Sequence, residues 1–185
     1  RLSLVGSEMC IRDRLAHRGM KQVDWRPEWN VLDIGCGGGA NVKRLLKLCP
    51  QGKVYGMDLS EESVAFARRH NAGELDRRCF IQQGDVCSLP YGDGAFDAVT
   101  AFETVYFWSS VSKALAEVFR VIRKGGCFLI SLEASDPELG KAWTERIKGM
   151  TVYGAEELKQ LLSQAGFSDI RVIQKKEELH IVAHK

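Results

Sequence analysis

Residues Val31 to Gly39 read Val-Leu-Asp-Ile-Gly-Cys-Gly-Gly-Gly, and this short string constrains the fold more than any other part of the chain. An apolar run meets a carboxylate and then a glycine-rich turn. Ala40 to Leu48 follows with apolar residues at helical spacing, at Val42, Leu45, Leu46 and Leu48. Strand, glycine turn and helix in that order open a nucleotide-type pocket. The glycines turn the backbone sharply and let it approach a ligand with no Cβ atom in the way. Asp33 narrows the choice of ligand, because a carboxylate just before the turn repels a pyrophosphate and favours a cation.

Short apolar runs alternate with helical patterns through the rest of the chain, as in β-α-β units built on a mostly parallel sheet. The predicted strands are Val31 to Ile34, Lys53 to Met57, Arg78 to Gln83, Phe96 to Phe102 and Cys127 to Leu132, the last entered through Gly125-Gly126. The first helix, Ala40 to Leu48, ends before Pro50 and Gly52. A second starts at an N-cap, Ser60, with Glu61 and Glu62 in its first turn, and runs to about Asn71. Ser109 or Ser110 caps a third that continues through Ile122. Glu156 to Ala165 is a fourth, with Gly166 placed for a left-handed cap. Ser168 to Gln174 and Leu179 to Ala183, joined by a short connection, form an antiparallel pair.

A length of 185 residues sets one domain as the expectation, and 45% hydrophobic residues suffice for one core. A net charge of +2 leaves no footprint for nucleic acid or for an anionic membrane surface. No apolar run approaches membrane-spanning length. The 6 cysteines are scattered without a C-x-x-C pair, which suits reduced thiols in a cytoplasm. His180 and His184 share a face of a strand-like tail without converging, so no metal is expected. Leu4 to Arg14 resembles a translated sequencing-library adapter. Residues 1–14 are therefore set aside as non-native and the domain is taken as residues 15–185. Natural sequence then begins near Leu15, with His17 to Lys21 a remnant of a segment that closes the pocket.

Acidic residues recur at matching places. Asp33 ends the first strand, Asp58 ends the second, and Asp85 follows the third. In a doubly wound sheet these ends lie beside one crevice, and a carboxylate about twenty residues past the glycine turn accepts hydrogen bonds from ribose hydroxyls. Asp85 is placed to meet an adenine amino group. S-adenosylmethionine, with a sulfonium and an amino group, satisfies both the nucleoside and the cationic requirement. Gly35 to Ala40 also satisfies G-x-G-x-x-A, the mark of a nicotinamide-dependent oxidoreductase. That alternative accounts poorly for Asp33, and the chain has no Tyr-x-x-x-Lys pair.

Val31 to Gly39 resembles motif I of the class I S-adenosylmethionine-dependent methyltransferases. Gly56 to Ser60 is similar to their second motif, and Gly84-Asp85-Val86 with Leu89-Pro90 to their third region. Phe96 to Val99 and Val121 to Gly126 resemble the segments leading into strands four and five. Phe102 to Trp108 and Gly149 to Tyr153 resemble a subgroup of small bacterial methyltransferases. The resemblance spans roughly Val31 to Lys185. It implies an α/β fold: a doubly wound, seven-stranded, mostly parallel sheet with helices on both faces and its last strand antiparallel.

The same resemblance places cofactor contacts at Asp33, Gly35, Gly37, Asp58, Asp85 and Val86, with Cys36 and Leu59 beside them. Glu103 falls near the methionine end or the acceptor mouth and is the candidate general base. Tyr106 and Trp108 form an aromatic wall for the acceptor, with Phe107 packed into the core. Tyr153 and Trp143 line the same mouth. Nothing in the sequence supports a nucleophilic Cys36. The acceptor implied is a small molecule, and no oligomeric state is indicated. Only Leu15 to Pro27 precede the first strand, so part of the family's closing segment is expected to be missing. A module that binds S-adenosylmethionine without turnover is the remaining alternative.

Overall fold

The computed structural model describes residues 13–138, 140–176 and 178–185. Its strands are β1 (Val31–Ile34), β2 (Val54–Asp58), β3 (Cys79–Gln83), β4 (Phe96–Phe102), β5 (Ile122–Leu132), β6 (Ser168–Lys175) and β7 (Glu178–His184). They form a 7-stranded sheet in the order β3-β2-β1-β4-β5-β7-β6. β1 lies parallel to β2 and β4, β2 to β3, and β4 to β5. β7 runs antiparallel to both β5 and β6. The chain leaves β1 on one side for β2 and β3, then returns to the other side for β4 and β5. That reversal opens a crevice at the carboxyl ends of β1 and β4.

Among the described residues the α-helices are α1 over residues 13–20, α2 (Ala40–Leu48), α3 (Glu61–His70), α4 (Val111–Val121), α5 (Lys141–Thr144) and α6 (Ala155–Gln164). Side chains alternate across each strand, so the central strands β1, β2, β4, β5 and β7 serve two cores. On one face Phe128, Ile130 and Leu132 of β5 join Leu115 and Val118 of α4 and Leu158 and Leu162 of α6. On the other, Cys127 and Leu129 join Met20 of α1, Leu45 of α2 and Ala67 of α3. Burial on both faces is why these strands read as continuous apolar runs.

Local signals in the sequence carry through. The Ser60 hydroxyl accepts from the Ser63 N–H, and the Ser110 hydroxyl from the Lys113 N–H, so Ser110 is the cap of α4. Gly166, at φ 107, follows α6. Two details differ. β5 begins at Ile122, where the sequence predicts the end of a helix. Ile122 pairs with Phe96 and Cys127 with Ala98, and the intervening residues bulge out with Gly125 at φ 78. Leu48, read as a core position of α2, is 37% exposed.

Helix α1 already includes Asp13 and Arg14, which the adapter reading sets outside the domain, and Asp13 pairs with Arg44 of α2 at 2.8 Å. The earlier part of that stretch lies outside the described residues. Gly19 lets α1 press onto the sheet, since a Cβ there would lie 2.1 Å from the Ser131 hydroxyl. Ser131 Oγ contacts His180 Nδ1 at 2.9 Å, and His180 Nε2 contacts Glu178 Oε1 at 2.8 Å. The Arg18 guanidinium grips the same Glu178 carboxylate through both of its oxygens. His180 is thus a buried link in a polar clasp that holds α1 against β5 and β7. His184 contacts the Asp169 carbonyl instead, and no group of residues suited to hold a metal occurs among those described.

Candidate cofactor and acceptor site

The glycine turn leaves β1 with Gly35 at φ 67 and Gly37 at φ 50. Gly35 has no substitute on two counts. Its φ is left-handed, and a Cβ would sit 2.1 Å from the Thr104 hydroxyl. At Gly37 a Cβ would meet nothing within 4 Å, so that position opens onto free space. Asp58, at the end of β2, secures the turn: its Oδ2 accepts the Gly37 N–H at 2.8 Å and its Oδ1 the Ser60 N–H at 2.9 Å. Asn71 holds the far side, its side-chain amide donating to the Gly39 carbonyl at 3.1 Å and the Ala67 carbonyl at 3.0 Å.

Two cavities flank this turn. The smaller, about 330 Å³, is bordered by Asp58 and Leu59 after β2, Asp85 and Val86 after β3, and Trp108. The larger, about 460 Å³, is bordered by Gly37, Asn41, Tyr106 and Trp143, and α1 adds Leu15. Gly35, Glu103 and Phe107 border both, so the two spaces meet at that point. Each volume lies in the ordinary range for a small-molecule site. The smaller cavity offers carboxylates suited to hydroxyl and amino donors. The larger offers the open backbone of the turn, the Glu103 carboxylate and an apolar wall.

Several predicted residues take unexpected places. Asp33 is only 1% exposed and borders neither cavity; it lies against Thr100, whose hydroxyl donates to Asp33 Oδ1 at 2.7 Å. Burial pushes the Asp33 carboxyl up to about 7, the Thr100 hydrogen bond opposes this, and the Asp58 charge adds to it. Cys36 is buried and borders neither cavity, and burial drives its thiol far above the usual range, so it stays protonated. Asp85 borders the smaller cavity while its Oδ1 accepts the Cys87 N–H at 2.8 Å, so it is a turn residue and a wall residue together.

The aromatic run after β4 is reversed from expectation. Phe107, expected in the core, is 51% exposed at the junction of the cavities. Trp108, expected in the acceptor wall, stacks on Phe128 at 6.4 Å in the core and borders the smaller cavity, not the larger. Tyr106 does border the larger cavity. Tyr153 borders neither and packs against the core. The reason is the 3₁₀ turn over Val105–Phe107, whose three-residue period replaces the strand alternation.

Glu103 sits at φ 56, a left-handed conformation that costs a non-glycine residue roughly 1–2 kcal/mol. Its Oε1 accepts the Tyr106 hydroxyl at 3.1 Å and also the Glu133 N–H. The Tyr106 oxygen in turn accepts the Ala134 N–H at 2.9 Å. Burial, followed by the neighbouring Glu103 charge, raises the Tyr106 phenol far above its ordinary value, so it remains a donor. Residues not singled out from sequence, among them Thr100, Asn71, Leu15 and Glu133, thus complete the site.

The family described as "Methyltransferase domain" matches residues 32–130, more than half of the chain. The chain is similar to a demethylmenaquinone methyltransferase of Symbiobacterium thermophilum, 36% identical over 118 residues, which are 63% of this chain and 47% of that protein. It is also similar to a ubiquinone/menaquinone biosynthesis C-methyltransferase of Dinoroseobacter shibae, 33% identical over 152 residues, which are 75% of this chain and 60% of that one. Among solved structures, a SAM-dependent methyltransferase of Aquifex aeolicus superposes with a TM-score of 0.75 at 26% identity, covering 91% of this chain and 88% of that one. The chain spans about half the length of the first curated relatives it matches. With its parallel sheet, its reversed last strand and its glycine turn at the switch point, this chain belongs to the methyltransferase-domain family.

Proposed function

We infer that the protein binds S-adenosyl-L-methionine and moves its methyl group to a small-molecule acceptor. The observation that carries this reading is the pair of cavities meeting at Gly35, Glu103 and Phe107, the smaller bordered by Asp58 and Asp85 and the larger walled by aromatic and aliphatic side chains with carboxylates among them. In this reading Asp58 takes the ribose hydroxyls, Asp85 and Val86 the adenine, and Gly35, Gly37 and Glu103 the amino-acid end, with Leu59 covering the base. When bound, the cofactor supplies a methyl group already activated on a sulfonium. The protein's share is alignment, exclusion of water and electrostatic support. Glu103, held by Tyr106 and the Glu133 N–H, acts here as a fixed anchor rather than a base. Quinone and related small acceptors named for the curated relatives support a small-molecule acceptor for this chain. Unbridged cysteines among the described residues support a reducing, cytoplasmic setting.

Calorimetric titration with S-adenosylmethionine and, separately, with NAD tests the reading. Binding of the first alone is expected, and the reverse order refutes it. Methyl-labelled cofactor incubated with a metabolite extract then reports the acceptor.

Asp33 makes cofactor binding pH-dependent. With its carboxyl raised to about 7, a cationic ligand beside the turn favours the ionised form. Affinity for S-adenosylmethionine is therefore expected to rise with pH through about 7 and to level off above it. The uncharged-sulfur product, S-adenosylhomocysteine, is expected to show a weaker dependence. For stability the sign is opposite: the folded state holds this proton where the unfolded chain has lost it, so the Asp33 contribution declines as pH rises from 3.8 to about 7. Titrations from pH 6 to 8 on the native protein and Asp33→Asn check this, and a slope that persists in the variant excludes Asp33 as its source.

A further inference from the structure

We propose that the acceptor is an amine borne on an apolar or aromatic body, bound as a cation in the larger cavity and methylated at nitrogen. This rests on the methyl-transfer reading above and concerns only the acceptor half of the site.

The walls set the body of the acceptor. Phe107 and Trp143 stand 51% and 52% exposed at the cavity's mouth, with Ile147 and Met150 beside them. Exposed aromatic faces at a cavity rim suit an apolar skeleton and attract a cation through the ring quadrupole.

Charge sets the reacting group. The ionisable side chains bordering this cavity, among the described residues, are Glu103, Glu133 and Tyr106, and no Lys, Arg or His borders it. Tyr106 is held as neutral phenol. Glu103 is occupied by Tyr106 and by the Glu133 N–H. The Glu133 carboxylate is exposed and acts at a distance on Arg18, whose guanidinium is gripped by Glu178. An ammonium entering this space meets an acidic rim; a carboxylate or phosphate meets repulsion from Glu103 and Glu133, with no cation among the described lining residues to offset it.

The reaction carries the same preference. An amine first gives a proton to solvent at the open mouth. Its lone pair then forms the N–C bond to the methyl carbon while the S–C bond breaks and its electron pair stays on sulfur. Positive charge passes from sulfur to nitrogen, and no net charge appears or vanishes. Carboxylates near the nitrogen favour that product. A phenolate, carboxylate or carbanion nucleophile brings negative charge beside Glu103 and Glu133, and no Lys, Arg or His among the described lining residues offsets it.

The test uses binding rather than turnover. The protein is first loaded with S-adenosylhomocysteine, and the affinity of that step is recorded. Phenethylamine, phenethyl alcohol and phenylacetate are then titrated in, followed by calorimetry and by tryptophan fluorescence. The amine is expected to bind at least tenfold more tightly than the acid, with the alcohol between them. Glu133→Gln is expected to cut the amine's advantage at least fivefold while S-adenosylhomocysteine affinity is kept. Equal affinities, no binding of the amine, or an advantage unchanged in Glu133→Gln overturns the acceptor class and leaves the methyltransferase reading standing. Failure of S-adenosylhomocysteine to bind overturns both.

Discussion

Asp58→Ala is expected to lower S-adenosylmethionine affinity at least tenfold and to leave the domain folded. Each Asp58 oxygen accepts one backbone N–H, from Gly37 and from Ser60, and the residue borders the smaller cavity with acceptor capacity left over. A hydrogen bond to a charged group is worth roughly 1.5–3 kcal/mol, and about 1.4 kcal/mol is a factor of ten. Losing one such bond accounts for the expected drop, and losing two exceeds it. The variant also frees the Gly37 N–H, so the turn loses its brace as well as its ligand. Calorimetry gives the affinity, and circular dichroism verifies the fold. Native-like affinity in a folded variant removes Asp58 from the site.

Trp108→Ala is expected to cost about 3–5 kcal/mol of stability, the usual penalty for emptying a large aromatic site in a core. The indole is 9% exposed and stacks on Phe128, which also contacts Phe167, so the vacancy opens in the middle of the layer between sheet and helices. The melting temperature should fall by roughly 10 °C for a domain of this size. Phe107→Ala makes the contrast: its ring is half exposed, so stability should stay within about 0.5 kcal/mol. A Trp108→Ala protein with native melting behaviour would return that residue to the acceptor wall.

The adjacent pair Phe107 and Trp108 marks the limit of what the sequence discloses. The strands announced themselves through apolar runs buried on two faces, and Ser60, Ser110 and Gly166 marked helix ends through local chemistry that needs no distant partner. Which of two neighbouring aromatics turns inward depends on the 3₁₀ turn after β4, and no periodicity in Val105 to Trp108 reports it. Thr100 was hidden for another reason. It stands in an apolar strand, and its partnership with Asp33 follows only from the β1–β4 register, which sets those two residues side by side. Helix α5, over Lys141–Thr144, is too short to carry a helical pattern, so the sequence placed Trp143 at the mouth without the helix that carries it. That Asp58 and Asp85 border one cavity was legible because a doubly wound sheet assigns such strand ends to one edge; Asp33, one strand over, is instead buried against Thr100.

The strand order has a consequence for how such a protein can be altered. Asp58, Leu59, Asp85 and Val86 come from connections on the β2–β3 side of β1, whereas Tyr106, Glu133, Trp143 and Met150 come from connections following β4 and β5. The halves share little more than the seam at Gly35, Glu103 and Phe107. On the proposed reading, exchange of Trp143 and Met150 for other side chains would retool what the protein accepts, while Tyr106 and the Glu133 N–H, which hold Glu103, stay in place to keep the grip on the methyl source. A workshop with its power supply on one wall and its interchangeable jigs on the other can change trade without being rewired.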